Sequence, residues 1–170
     1  QFLEGDVALT MTLLAEAVGA AGIDKAAVET RRKEYKKAKA KAAQDEKALL
    51  AAVKPDQPIP AAALSVTLSE AMPDDTIYVD ETITHRGLNL RYLKNRGPLS
   101  YYHASGGLGQ GLGVALGVKV AASTRPVVTT IGDGSFMYNP IVQSMAMAKH
   151  ENLPTRTVIY NNHGSEAMRS

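Results

Sequence analysis

The residues best suited to chemistry lie late in the chain. Gly132, Asp133, Gly134 and Ser135 follow a β-branched run, Val127 to Ile131. Glycines on both sides of an aspartate let the backbone approach a phosphate while the carboxylate faces a cation. Alone, GDGS is also an ordinary turn, because Asp-Gly pairs are common turn formers. A second β-branched stretch ends in Tyr160, Asn161 and Asn162. If the two stretches are neighbouring parallel strands, Asp133 and Asn162 reach one ion. A carboxylate and an amide, completed by a backbone carbonyl and diphosphate oxygens, form the hard oxygen set that Mg²⁺ requires.

Such a site needs strands that end side by side. The sequence predicts a helix over 61–71, a strand over 76–79, a helix over 107–122, a strand over 127–131, a helix over 140–150 and a strand over 157–160. Alternating helices and strands in this order give an α/β fold with a parallel sheet flanked by helices. Open sheets of this kind bind ligands at the carboxyl ends of their strands. Asn139 before Pro140 reads as a helix start, with the asparagine as cap, which leaves IGDGS as the loop between strand and helix. Upstream, Val7, Leu9, Met11, Leu13, Leu14 and Val18 recur at helical spacing until Gly19 and Gly22, predicting an amphipathic helix. Residues 24–53, rich in Ala, Lys, Glu and Arg, read as a solvated connecting helix. KPDQPIP, residues 54–60, breaks it and marks a domain boundary.

Composition narrows the function classes. A chain of 170 residues with 45% hydrophobic residues suits one domain, or one domain with a piece of another. The net charge of +2 is small. Much of the positive charge sits in Arg31, Arg32, Lys33, Lys36, Lys37, Lys39 and Lys41, without interleaved aromatics apart from Tyr35, so a general nucleic-acid role gains little support. No cysteine is present, which excludes disulfides and thiolate chemistry and agrees with a cytoplasmic location. No apolar run approaches the roughly 20 residues a bilayer requires, so no membrane association is expected. GLGQG and GQGLG do not match GxGxxG, and no strand is evident before them. Gly109, Gly113 and Gly117 share one helical face, which predicts close packing by a neighbouring element. Met137, Met145, Met147 and Tyr138 read as core filler.

Two stretches together resemble the thiamine diphosphate (ThDP)-dependent enzymes. One is GDGSFMYNPIVQSMAMAKHENLPTRTVIYNN, with the family's GDG, intervening helix and strand, and closing NN. The other is SGGLGQGLGVALGV from Ser105, similar to the glycine-rich segment beneath the cofactor's thiazolium. The resemblance implies Asp133, Asn162 and the Gly164 carbonyl as Mg²⁺ ligands, and Gly134 with Ser135 on the diphosphate. Asn161 supports the turn. It also implies Gly106 and Gly107 beneath the cofactor, with the Gly106 carbonyl accepting from the pyrimidine 4′-amino group, and Leu108 as the apolar side chain holding the cofactor bent. Thr82 and Thr84 occupy positions where relatives hold further diphosphate contacts, although a plain solvated turn fits them equally well. His103 is a candidate for facing substrate, and His85 and His163 also lie near predicted strand ends, although a solvated or hydrogen-bonded structural histidine is the favoured reading for each of the three.

By the same resemblance, residues 1–23 are the end of a middle domain, 24–56 a helical linker and 57–170 a diphosphate-binding domain lacking its closing helices. The glutamate that activates the cofactor is expected from a pyrimidine-binding domain, of the same or a facing subunit, in a homodimer or homotetramer. GDGSF, ENLP and NN resemble acetolactate synthases, whereas GGLG resembles decarboxylases of aromatic 2-keto acids. The expected reaction is decarboxylation or carboligation of 2-keto acids. The alternatives are a 2-hydroxyacyl-thioester lyase, an aromatic 2-keto acid decarboxylase and a non-catalytic diphosphate-binding or scaffolding module. Flavin (FAD) use, known in some relatives, is left open by these residues.

Overall fold

The computed structural model describes residues 5–94, 97–104 and 107–164. The chain divides into two units, Gln1–Lys47 and Ala48–Ser170.

In the first unit, α1 (Val7–Ala20) begins at Asp6, whose Oδ1 accepts the Leu9 amide at 2.8 Å. Val7, Met11, Leu14 and Val18 fall on one stripe, yet each is more than half exposed. Gly22, at φ +81°, turns the chain. Asp24 then caps α2 (Lys25–Ala51) by accepting the Ala26 and Ala27 amides at 2.9 and 3.0 Å. Neither helix buries a residue, and α2 continues into the second unit.

The second unit is an α/β layer structure. Its elements in order are α3 (Ala61–Ala71), β1 (Ile77–Glu81), α4 (Arg86–Tyr92), β2 (Tyr101–His103), α5 (Gly111–Ala121), β3 (Val127–Gly132), α6 (Asp133–Tyr138), α7 (Ile141–His150) and β4 (Arg156–Tyr160). The four strands form one parallel sheet in the order β2-β1-β3-β4. The inner strands β1 and β3 are apolar at most positions and buried on both faces, as a parallel sheet covered by helices requires. Ile77, Val79 and Val127 pack against Ala115 of α5 on one face. Tyr78 and Val128 pack with Leu93 on the other, joined by Leu68 and Met72. Each large side chain removed from water contributes about 1.5–3 kcal/mol.

The chain leaves β1 toward β2 and leaves β3 toward β4 in the opposite direction. The topological switch point therefore lies between the carboxyl ends of β1 and β3, the usual ligand crevice of an open α/β sheet. Glu81 ends one of these strands, and Asp133 directly follows the other.

Several local expectations are corrected. A strand, β2, does precede the glycine segment, and α4 lies between β1 and β2. IGDGS is not a loop, since α6 starts at Asp133. The glycine stripe is packed only at its start: Gly109 lies before α5 against the Tyr138 backbone, whereas Cβ atoms at Gly113 or Gly117 would meet nothing among the described residues. Met137, Met145, Met147 and Tyr138 are 76, 50, 48 and 64% exposed: α6, which carries Met137 and Tyr138, buries only Ser135, and α7, which carries the other two, buries only Ser144.

Candidate active site

β3 and β4 pair in register, with Gly132 opposite Tyr160, so the segments that follow them emerge together. Asp133 Oδ1 accepts the Gly134 amide at 2.9 Å, a bond within the first turn of α6. Its other oxygen, Oδ2, accepts the Gly164 amide at 3.1 Å, and Asn162 Oδ1 lies 3.3 Å from that same nitrogen. The carboxylate and the amide oxygen thus converge on one electropositive hydrogen. Two hard oxygens aimed at one point are the donor chemistry that suits a small divalent cation. Asn161 Oδ1 accepts the His163 amide at 2.9 Å and shapes the turn, in which His163 adopts φ +62°. Ser135 is buried, and its carbonyl accepts from Asn139 Nδ2 at 2.9 Å.

Across the crevice, Glu81 is 3% exposed and holds the start of α5. Its Oε1 accepts the amides of Gly109 at 2.6 Å and Gln110 at 3.1 Å. Its Oε2 accepts the amide of Gly111 at 2.7 Å and Asn139 Nδ2 at 3.0 Å. An anion at a helix start satisfies otherwise orphaned N–H groups and complements the helix dipole. Asn139 completes the arrangement, since its Oδ1 accepts the Leu112 amide at 3.0 Å. Asn139 therefore caps α5 and not the helix that follows it, whose N-cap position Pro140 fills without a side-chain bond. Gly109 is required here: its φ is +91°, and a Cβ would collide with the Tyr138 carbonyl.

On the other face of β1, Asp80 is fully buried. Its Oδ1 accepts from the Thr82 amide, Thr82 Oγ1, Asn89 Nδ2 and Thr130 Oγ1 at 3.1, 2.7, 3.0 and 2.9 Å. Its Oδ2 accepts from the Tyr101 hydroxyl at 2.7 Å and lies 4.0 Å from Arg86 Nε. Burial, then the bond to Asp80, pushes the Tyr101 hydroxyl well above its usual range, and burial does the same to Tyr160, so both stay protonated donors. Tyr160 donates to Asn89 Oδ1 at 2.9 Å. Thr82 belongs to this interior network and is 1% exposed, with its hydroxyl donating to Asp80 Oδ1. Thr84 lies exposed in the turn after β1.

A cleft of about 350 Å³ opens beside these strand ends, lined by Glu81, Ile83, Arg86, His103, Ala104, Gly107 and Leu108. His103 Nδ1 lies 3.1 Å from the Asp80 carbonyl. A carbonyl only accepts, so Nδ1 carries the hydrogen. Leu108 is 37% exposed. Gly106 lies outside the described residues. Sequence reasoning missed Asp80, Arg86, the capping role of Glu81 and the bonds of Asn139 to the α5 start.

A parallel α/β sheet in which a carboxylate and an amide oxygen converge just past the carboxyl ends of β3 and β4, beside the switch point, has the layout of a ligand-binding α/β domain. The family model described as thiamine pyrophosphate enzyme, C-terminal TPP binding domain, matches residues 84–170, and the chain belongs to that family. Thiamine pyrophosphate and ThDP are one molecule. The chain is 36% identical over 97 residues to 2-hydroxyacyl-CoA lyase 2 of Caenorhabditis elegans, a match covering 56% of this chain and 15% of the lyase. It is 41% identical over 81 residues to acetolactate synthase 2, chloroplastic, of Nicotiana tabacum, covering 46% and 12%. Among solved structures, a ThDP-dependent 4-hydroxybenzoylformate decarboxylase of Rhodococcus jostii superposes with TM-score 0.63 at 34% identity, covering 69% of this chain and 22% of that one. The chain thus spans under a sixth of these curated relatives. Among the described residues, no single helix is long and apolar enough to cross a membrane.

Proposed function

We propose that this domain supplies the Mg²⁺ and diphosphate half of a ThDP site in an enzyme that decarboxylates or carboligates 2-keto acids. The observation that carries this reading is the convergence of Asp133 Oδ2 and Asn162 Oδ1 on one N–H, at 3.1 and 3.3 Å. A cation placed there takes both oxygens, with the Gly164 carbonyl as the backbone ligand. Gly134, Ser135 and Thr84 face the diphosphate, while Gly106, Gly107 and Leu108 lie beneath the thiazolium. When bound, ThDP supplies the carbanion that attacks the substrate carbonyl and holds the charge left by carbon–carbon cleavage. This chain orients the cofactor, and His103 with Arg86 borders the space where substrate enters. The domains of the sequence analysis belong to this reading: residues 1–23 from a middle domain, 24–56 as linker and 57–170 as the diphosphate-binding domain. The activating glutamate comes from a pyrimidine-binding domain of the same or a facing subunit, in a homodimer or homotetramer in the cytoplasm.

Calorimetric titration of ThDP into the full-length protein, with Mg²⁺ and with chelator, tests the site. Binding that requires Mg²⁺ and is lost in Asp133→Ala supports it. ThDP binding indifferent to both Mg²⁺ and Asp133 refutes the assignment, and absence of any binding favours a scaffolding module.

A further inference from the structure

We infer that Arg86 is a specificity-determining residue that receives the carboxylate of an anionic substrate, a role that rests on the ThDP reading above. Arg86 opens α4 directly after the β1 turn and lines the cleft together with His103 and Leu108. Two features separate it from a structural arginine. Its inner nitrogen, Nε, is buried 4.0 Å from Asp80 Oδ2 but makes no hydrogen bond among the described residues. Asp80 is already supplied by Thr82, Asn89, Thr130 and Tyr101, so it steers the guanidinium electrostatically without using its donors. The side chain is 40% exposed and contributes to the lining of the cleft.

The acceptors in the rest of the lining are engaged elsewhere. Glu81 also borders the cleft, but three backbone amides of the α5 start and Asn139 occupy its two oxygens. His103 commits Nδ1 to the Asp80 carbonyl. Ile83, Ala104, Gly107 and Leu108 are apolar or small. A planar cation at the wall of a largely apolar cleft matches a carboxylate through paired N–H donors. The substrate class it selects is the free 2-keto acid over a neutral carbonyl compound or an acyl thioester.

The test compares benzoylformate with its primary amide, and pyruvate with pyruvamide, pairs of nearly equal shape that differ in charge. Affinities are measured on the full-length protein by competition calorimetry, with and without ThDP and Mg²⁺. The wild type is expected to favour at least one acid over its amide by about tenfold or more, the usual gain from a charge-assisted pair. Arg86→Gln should bring that ratio to within about threefold of unity, and Arg86→Lys should restore part of it. Affinity for ThDP should stay unchanged in both variants, which also reports that they fold. Wild-type protein that favours neither acid, by binding both members of each pair alike or not at all, overturns the inference, as does a preference that survives Arg86→Gln. A loss of ThDP affinity in Arg86→Gln also overturns it, assigning the guanidinium to the diphosphate instead. Loss of acid preference alone leaves the cofactor site standing, whereas failure of the wild type to bind ThDP removes the cofactor reading itself.

Discussion

Glu81→Gln tests how far the crevice depends on one buried carboxylate. The substitution keeps shape and volume, so its effect is electrostatic. Whichever oxygen becomes nitrogen, two N–H donors face an NH₂ group: Gly109 and Gln110 on one side, or Gly111 and Asn139 on the other. Hydrogen bonds to a charged acceptor are worth about 1.5–3 kcal/mol each, so losing two costs about 3–6 kcal/mol. Small domains hold only about 5–15 kcal/mol in total, so the variant should unfold at markedly lower urea concentration. Urea denaturation of the full-length protein gives the magnitude, and amide hydrogen exchange gives the place. Protection should fall first at Gly109, Gln110 and Gly111, because Glu81 is their acceptor. A loss below about 1 kcal/mol with these amides still protected would refute the reasoning, since water or another acceptor would then be doing the work of Glu81.

Other substitutions follow from the same geometry. Asp133→Asn retains one oxygen near Gly164 but removes the charge, so Mg²⁺-dependent ThDP affinity should fall at least about 30-fold with little change in stability, as read by calorimetry and urea melts. Gly109→Ala must meet the Tyr138 carbonyl at φ +91° and should cost about 2 kcal/mol or more. Gly113→Ala projects into open space within α5 and should instead gain about 0.5–1 kcal/mol, provided no partner covers that face. Tyr101 and Tyr160 have hydroxyls raised above the ordinary value of 10.0. The stability they contribute is therefore complete below pH 10 and is lost as pH rises beyond it. Tyr101→Phe should flatten that alkaline loss in denaturation curves taken across this range, and an unaltered slope would count against the Asp80 bond.

The sequence made the convergence of Asp133 and Asn162 visible because strand ends announce themselves. β-branched runs ending in GDGS and NN need only parallel neighbours to bring Asp133 and Asn162 together, and the β3–β4 register does so. Helix α3 was equally legible, since 61–71 is a helix-forming run set between prolines and a turn. Short elements were not. Strand β2 has three residues, too few to show alternation, and α4 carries Gly87 inside seven residues. Asp80 and Glu81 were illegible for a different reason. Adjacent carboxylates in a strand read as solvent-facing, and only partners far along the chain reveal them as interior: Asn89, Tyr101 and Thr130 for one, the α5 start and Asn139 for the other. Asn139 shows the same limit, because local pattern assigns a cap to the nearest helix whereas packing assigned it to α5. Met137, Met145 and Met147 misled because apolar type predicts burial only on average, and α6 and α7 present them outward.

The two neighbouring carboxylates divide their work because successive residues of a strand point to opposite faces. Asp80 gathers the α4 and β2 side, holding Tyr101 through its carboxylate and His103 through its carbonyl while drawing Arg86 inward. Glu81 gathers the α5 and α6 side, holding the glycine turn and, through Asn139, the helix that begins at Asp133. Burying a bare carboxylate costs several kcal/mol, and here each is offset by at least four donors. Both walls of the cleft are thereby referred to the end of one central strand. Glu81→Gln should consequently disturb the Asp133 side while leaving the Arg86 acid preference intact, and Asp80→Asn should do the reverse. If both substitutions weakened ThDP binding and acid preference to the same degree, the walls would be coupled through the sheet as a whole, and this division of labour would be wrong.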